Sequence, residues 1–174
     1  MERRFGARVT WLPYDLHPEY PPEGIAQREL SERYGFDTTE QQRELFARAG
    51  VPFAPHDHIP NSMKALRVTE LARDRGLHDR VHERLMTAFW GEARDIGDDE
   101  TLRELAVECG LDRADVDRVL SGGEYLDRVR ASTHQAQSIG ISGIPGVLLD
   151  SKLLVLGAQP QEVFERAFAQ LAAA

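Results

Sequence analysis

A long stretch of helical sequence lies between one early strand and one late hairpin, and this order constrains the fold more than any other feature. Residues 25–121 carry apolar side chains at helical spacing almost throughout, interrupted by loops that hold glycines or prolines. Before this block, the alternating pattern of Arg8–Tyr14 predicts a short strand. After it, residues 124–173 predict a helix, a hairpin and a last helix. We therefore expect an α/β protein with a large all-helical insertion at about residues 25–121.

Two short apolar runs, Val147–Leu149 and Leu153–Leu156, predict the hairpin. Because both runs are apolar throughout, we expect the hairpin to be buried on both faces. A hairpin alone is marginally stable, so we expect it to share one sheet with the early strand. With 174 residues, 41% of them hydrophobic, the chain can bury a sizeable core, and we expect residues 1–174 to form one domain.

Composition excludes several classes of function. The 21 basic and 29 acidic residues give a formal charge of −8, which disfavours binding to nucleic acid. No run of about 18 apolar residues predicts a membrane span, and the two arginines at the N-terminus precede no apolar signal sequence. The single cysteine cannot form an internal disulfide or a cysteine-rich zinc site. These features favour a reduced, cytoplasmic protein.

The side chains that could take part in catalysis or bind a metal give little evidence of a functional site. Cys109 lies on the apolar stripe of its helix and precedes Gly110, so we expect a buried thiol near a helix C-terminus, where the dipole disfavours a thiolate. For residues 56–58, His-Asp-His, we expect a solvated loop rather than a metal site, because a full ligand set is missing. His78 and His82 have helical i, i+4 spacing, but no glutamate stands where metalloprotease chemistry needs a base.

No nucleophilic triad is evident around Ser132–His134, since no acid stands at a suitable position. The aromatic residues Phe89, Trp90 and Tyr125 are expected to pack in the helical core, although lining a substrate groove is an alternative. We therefore expect no catalytic residue and no metal ligand among these side chains.

The order of several segments resembles one known family. These segments are Trp11–Pro18, Ile59–Ser62, Phe89–Trp90 with Arg94–Asp98, Gly140–Val147 and Gly157–Pro160. Together they resemble the DsbA-like thioredoxin-fold oxidoreductases of the FrnE type, relatives of 2-hydroxychromene-2-carboxylate isomerase and kappa-class glutathione transferase. No segment is highly specific alone, but five in the family's order span nearly the whole chain. The resemblance implies a thioredoxin-like sheet.

The resemblance assigns a role to the loop before the hairpin. It implies that Ile144–Pro145 is the cis-proline loop of the family, where the residue before the proline pairs with an extended substrate. The alternative is that Pro145 only begins a strand after a turn. Ile144 and Pro145 are thus the expected substrate-binding residues, for a thiol or disulfide peptide or a small thiol.

The chain departs from the family at its N-terminus. In the family, a first strand and a CxxC motif (a serine in the isomerase and transferase branch) precede the strand that matches Val9–Tyr14. Here Met1–Gly6 would correspond to the last turn of the first helix. Because that first strand is central, its absence would expose unpaired backbone. We expect that the true protein begins upstream; alternatively, Val9–Tyr14 pairs directly with the hairpin, or a second chain fills the gap.

By resemblance, the function is thiol–disulfide exchange, with the redox CxxC absent and the chain therefore inactive as given. No cofactor is expected under this hypothesis. The alternatives are a glutathione-dependent isomerase or transferase, which would use glutathione, and a non-catalytic binding module. An unfilled sheet edge would also allow a homodimer.

Overall fold

The computed structural model describes residues 2–35 and 39–173 of the chain. The chain forms two compact units: a hairpin unit, Met1–Leu16 with Ala131–Ala174, and a helical unit, His17–Arg130. The helical unit includes the insertion predicted from the sequence. Among the described residues, no helix combines the length and apolar character needed to cross a membrane.

The helical unit is built from short helices joined by tight turns. Its elements are β1 (Ile25–Ala26), α2 (Gln27–Tyr34), α3 (Thr39–Ala49), β2 (His58–Ile59), α4 (Met63–Asp74), α5 (His78–Met86), a π-helical turn (Thr87–Gly91), α6 (Asp99–Glu108) and α7 (Arg113–Ser121). The first part of α8 (Leu126–Ser138) also belongs to this unit. The apolar stripes predicted for α4 to α7 form one buried cluster, which includes Val68, Leu71, Val81, Leu85, Leu102, Leu105, Val116 and Val119.

A small antiparallel ladder lies where the sequence predicts a helix start and a loop. In this ladder Ile25 pairs with Ile59, and Ala26 pairs with His58. Gly24 precedes β1 with a φ of 84°, and a Cβ on it would lie 2.4 Å from Nε2 of His58. Only glycine allows the chain to approach His58 this closely. Ile25 and Ala26 therefore pair with β2, and the helix begins at Gln27 rather than at Ile25.

The hairpin unit contains α1 (Glu2–Phe5), the second half of α8, β3 (Gly146–Leu149), β4 (Leu153–Leu156) and α9 (Gln161–Ala172). β3 and β4 pair in the register Val147 to Val155 and Leu148 to Leu154. The apolar stripe predicted for the last helix packs on one face of this hairpin: Val163, Phe164, Ala167, Phe168 and Leu171 contact a cluster that includes Leu149 and Val155.

Two predictions for the hairpin unit are wrong. Arg8–Tyr14 is not a strand, since the sheets of the described residues are β1–β2 and β3–β4, so it shares no sheet with the hairpin. Side-chain hydrogen bonds hold this segment instead. The hairpin is also not buried on both faces, because Leu148 and Leu156 are 45% and 44% exposed. Within the described residues β3 pairs with β4 alone, so neither Arg8–Tyr14 nor another described segment extends this hairpin into a larger sheet.

Candidate functional site

The candidate site is the loop of residues 139–145, which joins α8 to β3. The backbone of Gly140 has a φ of 91°, a left-handed conformation that suits glycine and ends the helix. The amide of Ile141 donates to the carbonyl of Ala136 at 3.0 Å and closes this turn. The Ile141 side chain packs against the backbone of Gly146, where a Cβ would lie 2.9 Å from Cγ2 of Ile141. These contacts fix the direction of the chain where the loop ends and β3 begins.

Hydrogen bonds hold the loop at two points. The Tyr14 hydroxyl donates to the carbonyl oxygen of Ile141 at 3.3 Å. On the other side, the amide of Gly157, just after β4, donates to the carbonyl oxygen of Pro145 at 2.8 Å. The loop is thus attached at one end to the N-terminal segment and at the other to the end of the hairpin.

Ile144 lies between these two points and faces solvent. The Ile144–Pro145 peptide bond is cis, and Ile144 is 58% exposed. Within residues 2–35 and 39–173, no hydrogen bond occupies the backbone N–H or C=O of Ile144. A rigid loop that presents one free peptide unit beside an apolar side chain can add a hydrogen-bonded contact to an extended ligand.

The segment before Leu16 is fixed to α8 by side chains of that helix. The Ser132 hydroxyl donates to the carbonyl of Pro13 at 2.7 Å, and the amide of Asp15 donates to the Thr133 hydroxyl oxygen at 2.9 Å. Through this segment, Tyr14 reaches the candidate loop. Sequence reasoning missed Tyr14, Ser132 and Thr133 as positioning residues. The segment Trp11–Pro18, which contains Tyr14, was recognisable as a family motif. Nothing in the sequence indicated that the Tyr14 hydroxyl bonds to the carbonyl oxygen of Ile141.

Cys109 belongs to the helical unit, whereas the candidate loop belongs to the hairpin unit. Cys109 is 3% exposed, and its thiol donates to the carbonyl of Arg80 at 3.7 Å. Burial raises the pKa of the Cys109 thiol, so the thiolate that nucleophilic chemistry needs is disfavoured. Cys109 is a packing residue at the end of α6, as the sequence predicts.

His56 and His58 do not lie in a solvated loop, contrary to the prediction from the sequence. His56 stacks on Phe89 with ring centroids 4.0 Å apart, and His58 lies in β2. Burial lowers the pKa of His56. The rings of Phe46, Phe53 and Trp90 complete this aromatic cluster.

His78 and His82 stack with ring centroids 5.6 Å apart, and His78 Nδ1 lies 3.1 Å from a carboxylate oxygen of Asp79. Among the described residues, no group of three histidine, cysteine, aspartate or glutamate side chains is arranged to hold a metal ion. The aromatic residues Phe89 and Tyr125 pack against the helical core.

Comparison with known proteins decides the family. Residues 1–169 match the DsbA-like thioredoxin domain. The chain belongs to this family. A probable DsbA oxidoreductase from Streptomyces coelicolor has a similar structure, with a TM-score of 0.86 and 30% sequence identity over 97% of this chain and 76% of that one. The thioredoxin-like fold with a helical insertion, expected from the sequence, is thereby confirmed.

Two further relatives extend the comparison. A 2-hydroxychromene-2-carboxylate isomerase has a TM-score of 0.72 and 21% identity over 98% of this chain and 84% of that one, which shows a shared fold. The uncharacterized protein YwbO of Bacillus subtilis (strain 168) is 28% identical over 91% of this chain and 80% of its own length. The resemblance to the DsbA-like family, predicted from sequence motifs, is confirmed, and the likeness to the isomerase is confirmed at the level of the fold.

Proposed function

We propose that this protein takes part in thiol–disulfide exchange by binding an extended thiol or disulfide peptide at the loop that contains Ile144 and Pro145. The observation that carries the proposal is the exposed Ile144, with its backbone N–H and C=O unoccupied among the described residues, in a chain of the DsbA-like family. An extended peptide could accept a hydrogen bond from this N–H and donate one to this C=O. The apolar Ile144 side chain would pack against a neighbouring side chain of the peptide.

The 174 residues bind the substrate under this proposal but do not carry out the attack themselves. Disulfide exchange needs a thiolate that attacks one sulfur of the substrate disulfide and releases the other sulfur as a thiolate. The only sulfhydryl of the sequence is the buried Cys109, whose pKa is raised. A reducing, cytoplasmic compartment would suit a chain with this single cysteine.

Peptide binding tests the first part of the proposal. A fluorescein-labelled extended decapeptide with one cysteine is titrated with the protein, and fluorescence anisotropy measures its affinity. We expect Ile144→Glu to weaken binding at least tenfold, since it places a charge at the apolar contact. The matched control is Ile139→Glu, which changes another exposed isoleucine of the same unit. Equal affinities for the wild-type protein and Ile144→Glu would overturn the binding role.

Insulin reduction by dithiothreitol tests the second part. We expect the 174-residue protein to leave the rate of insulin precipitation at background, with or without the Cys109→Ser change. Acceleration that disappears in Cys109→Ser would show that Cys109 is the nucleophile and would contradict the proposal.

Reduced glutathione separates the isomerase hypothesis from this one. Amide chemical shifts at residues 140–146 are followed by NMR while either ligand is added. We expect the peptide to shift the Ile144 amide and glutathione to leave it in place. Shifts with glutathione alone would replace our proposal with the glutathione-dependent alternative.

A further inference from the structure

An aromatic cluster packs α3 against the π-helical turn of the helical unit. It consists of Phe46 from α3, Phe53 and His56 from the loop before β2, and Phe89 and Trp90 from the turn. The ring centroid of Phe46 lies 5.2 Å from that of Phe53 and 5.3 Å from that of Trp90. The ring of His56 stacks on Phe89 at 4.0 Å and meets Trp90 edge-on at 6.2 Å. Trp90 therefore contacts both α3 and His56.

The two ring nitrogens of His56 have different surroundings. One is hydrogen-bonded to the backbone carbonyl oxygen of Phe89. The other, Nε2, is buried, and no described group of the protein forms a hydrogen bond with it. In the neutral ring, Nε2 is an acceptor without a donor, whereas a second proton would make it a charged donor without an acceptor. The charged form costs more, because a buried charge needs a partner. The aromatic cluster therefore favours neutral His56.

Burial affects His56 more strongly than the charged groups around the cluster do. Burial is the main cause that lowers the pKa of His56, while the carboxylate of Asp95, in the segment after the π-helical turn, acts in the opposite direction. The turn itself carries no charged side chain, and Asp57 beside His56 is exposed to solvent. On the side of α3, the guanidinium of Arg43 lies 5.7 Å from the ring centroid of Phe53. Protonation of His56 inside the cluster is therefore disfavoured.

The helix α3 depends on this cluster for its attachment. None of its 11 residues is buried, as the structure describes them. Two of its ion pairs, Arg43 with Glu40 and Arg48 with Glu44, lie within the helix and do not join it to another element. A helix of this length is only marginally stable alone in water. Loss of the contacts of Phe46 should therefore release α3 and also loosen it.

We propose that protonation of His56 releases α3 from the aromatic cluster, so that this helix is a pH-dependent cover over Phe53 and Trp90. The Nε2 atom must reach water to take up a proton, and His56 must leave Phe89 for this to happen. Because Phe53 lies on the same loop as His56, this movement also separates Phe53 from Phe46. The released form binds the additional proton. The attached form is therefore favoured above the ordinary histidine pKa and loses this advantage as the pH falls below it.

Amide hydrogen exchange, measured by NMR from about pH 8 to about pH 5, tests the release. We expect the protection factors of α3 amides to fall at least tenfold over this range, while those of α4 stay unchanged. In His56→Phe, which keeps an aromatic ring beside Phe89 but takes up no proton, the protection of α3 should not depend on pH. The matched control is His134→Phe, which changes an exposed histidine of the hairpin unit and should behave as the wild-type protein does.

Tryptophan fluorescence tests the part of Asp95 in a background that keeps the native His56. Trp11→Phe removes the other tryptophan of the sequence, so the emission reports on Trp90. This emission should shift to longer wavelength as the pH falls. Asp95→Asn should move the midpoint to lower pH, since it removes the charge that favours protonation. Its amide oxygen still accepts the hydrogen bond from the Gly97 amide, which is 2.7 Å long in the structure.

Several results would overturn the proposal. They are an α3 that stays protected over the whole pH range, a loss of protection in α3 and α4 together, a His56→Phe variant that responds to pH as His134→Phe does, and an Asp95→Asn variant whose midpoint is not lowered.

Discussion

The two units of this protein bury their apolar residues to very different degrees. In the helical unit, α4, α5, α6 and α7 share one cluster in which Val68, Leu71, Leu102 and Val116 are fully shielded from water. In the hairpin unit, the buried cluster consists of Leu149, Val155 and Ala167. Among the described residues, most of the exposed large apolar ones also belong to the hairpin unit: Val9, Trp11, Leu12, Ile139, Ile144, Leu148 and Leu156.

This difference separates stability from binding. Burial of apolar area is the main favourable term in folding, so most of the stability should come from the helical unit. A large contiguous patch of exposed apolar surface usually marks an interaction site. The hairpin unit carries the loop at Ile144, for which we propose a binding role. The helical unit is therefore the part whose mutation should affect folding most strongly.

A pair of leucine truncations tests this contrast with the largest expected effect. Leu71 is fully buried in the helical cluster, and Leu71→Ala should lower the free energy of unfolding by about 2–5 kcal/mol through lost burial and a residual cavity. The matched Leu148→Ala removes the same atoms from an exposed position and should cost under about 1 kcal/mol. Urea unfolding followed by circular dichroism measures both. Equal losses for the two variants would show that the hairpin unit is as well packed as the helical one.

A buried arginine gives the next largest effect. Arg67 of α4 donates to the carbonyl oxygens of Val119, of Gly122 at 2.5 Å and of Glu124 at 2.8 Å, and so satisfies the end of α7. Arg67→Ala would leave these groups without their donors, so we expect a loss of about 2–3 kcal/mol in unfolding free energy. Arg118→Ala is the control, since the Arg118 side chain is 50% exposed and forms ion pairs with Asp115 and Glu124, so its loss should cost under about 1 kcal/mol. Similar losses from both would contradict the capping role of Arg67.

The sequence predicted well those features that depend on nearby residues. The apolar stripes of α4 to α7 and of α9 follow a period of 3.6 residues, which is visible within one helix. The family was recognisable because short motifs, such as Gly143–Gly146, keep their order along the chain. For the loop itself, the motif singled out Ile144 and Pro145, whose binding role stays a prediction.

Features that depend on distant residues could not be predicted. The β1–β2 ladder joins Ile25 to Ile59, and no local pattern in either strand of two residues signals the pairing. Arg67 contacts carbonyls more than fifty residues away, while its place in the sequence is typical of any helical arginine. The prediction of a strand at Arg8–Tyr14 was wrong for a different reason. The alternating pattern of this segment is favourable for a strand, but a strand also needs a neighbouring strand to pair with, and its own sequence does not supply one.

The N-caps of α6 and α9 give a smaller contrast between the helical unit and the hairpin unit. Asp98 caps α6 by accepting a hydrogen bond from the amide of Thr101 at 2.8 Å, and this bond lowers the pKa of Asp98. In the hairpin unit, the N-cap of α9 is Pro160, which forms no side-chain bond. Asp98→Ala should cost about 1 kcal/mol in unfolding free energy, whereas Asp98→Asn should cost little because its amide oxygen still accepts the bond. Equal losses in urea unfolding would exclude a capping role.

The smallest expected effect is the pH dependence that Asp74 contributes. Hydrogen bonds from Arg128, at 2.8 Å and 3.2 Å, are the main cause that lowers the pKa of Asp74 in the folded protein, and the Tyr125 hydroxyl adds a third. Because the folded pKa lies below the unfolded one, this stabilisation is complete above the usual aspartate value and is lost as the pH falls through the folded value.

The Asp74→Asn variant checks this sign. It should be less stable than the wild-type protein at pH 7, by under about 1 kcal/mol because the ion pair is partly exposed. The difference should shrink as the pH falls below the usual aspartate value, since the carboxyl of the unfolded chain is protonated first and that of the folded protein at a lower pH. Asp127→Asn is the control, as Asp127 is an exposed residue of the same helix as Arg128. A difference between Asp74→Asn and wild type that stays constant from pH 7 to pH 3 would show that Asp74 stabilises the helical unit by packing rather than by charge.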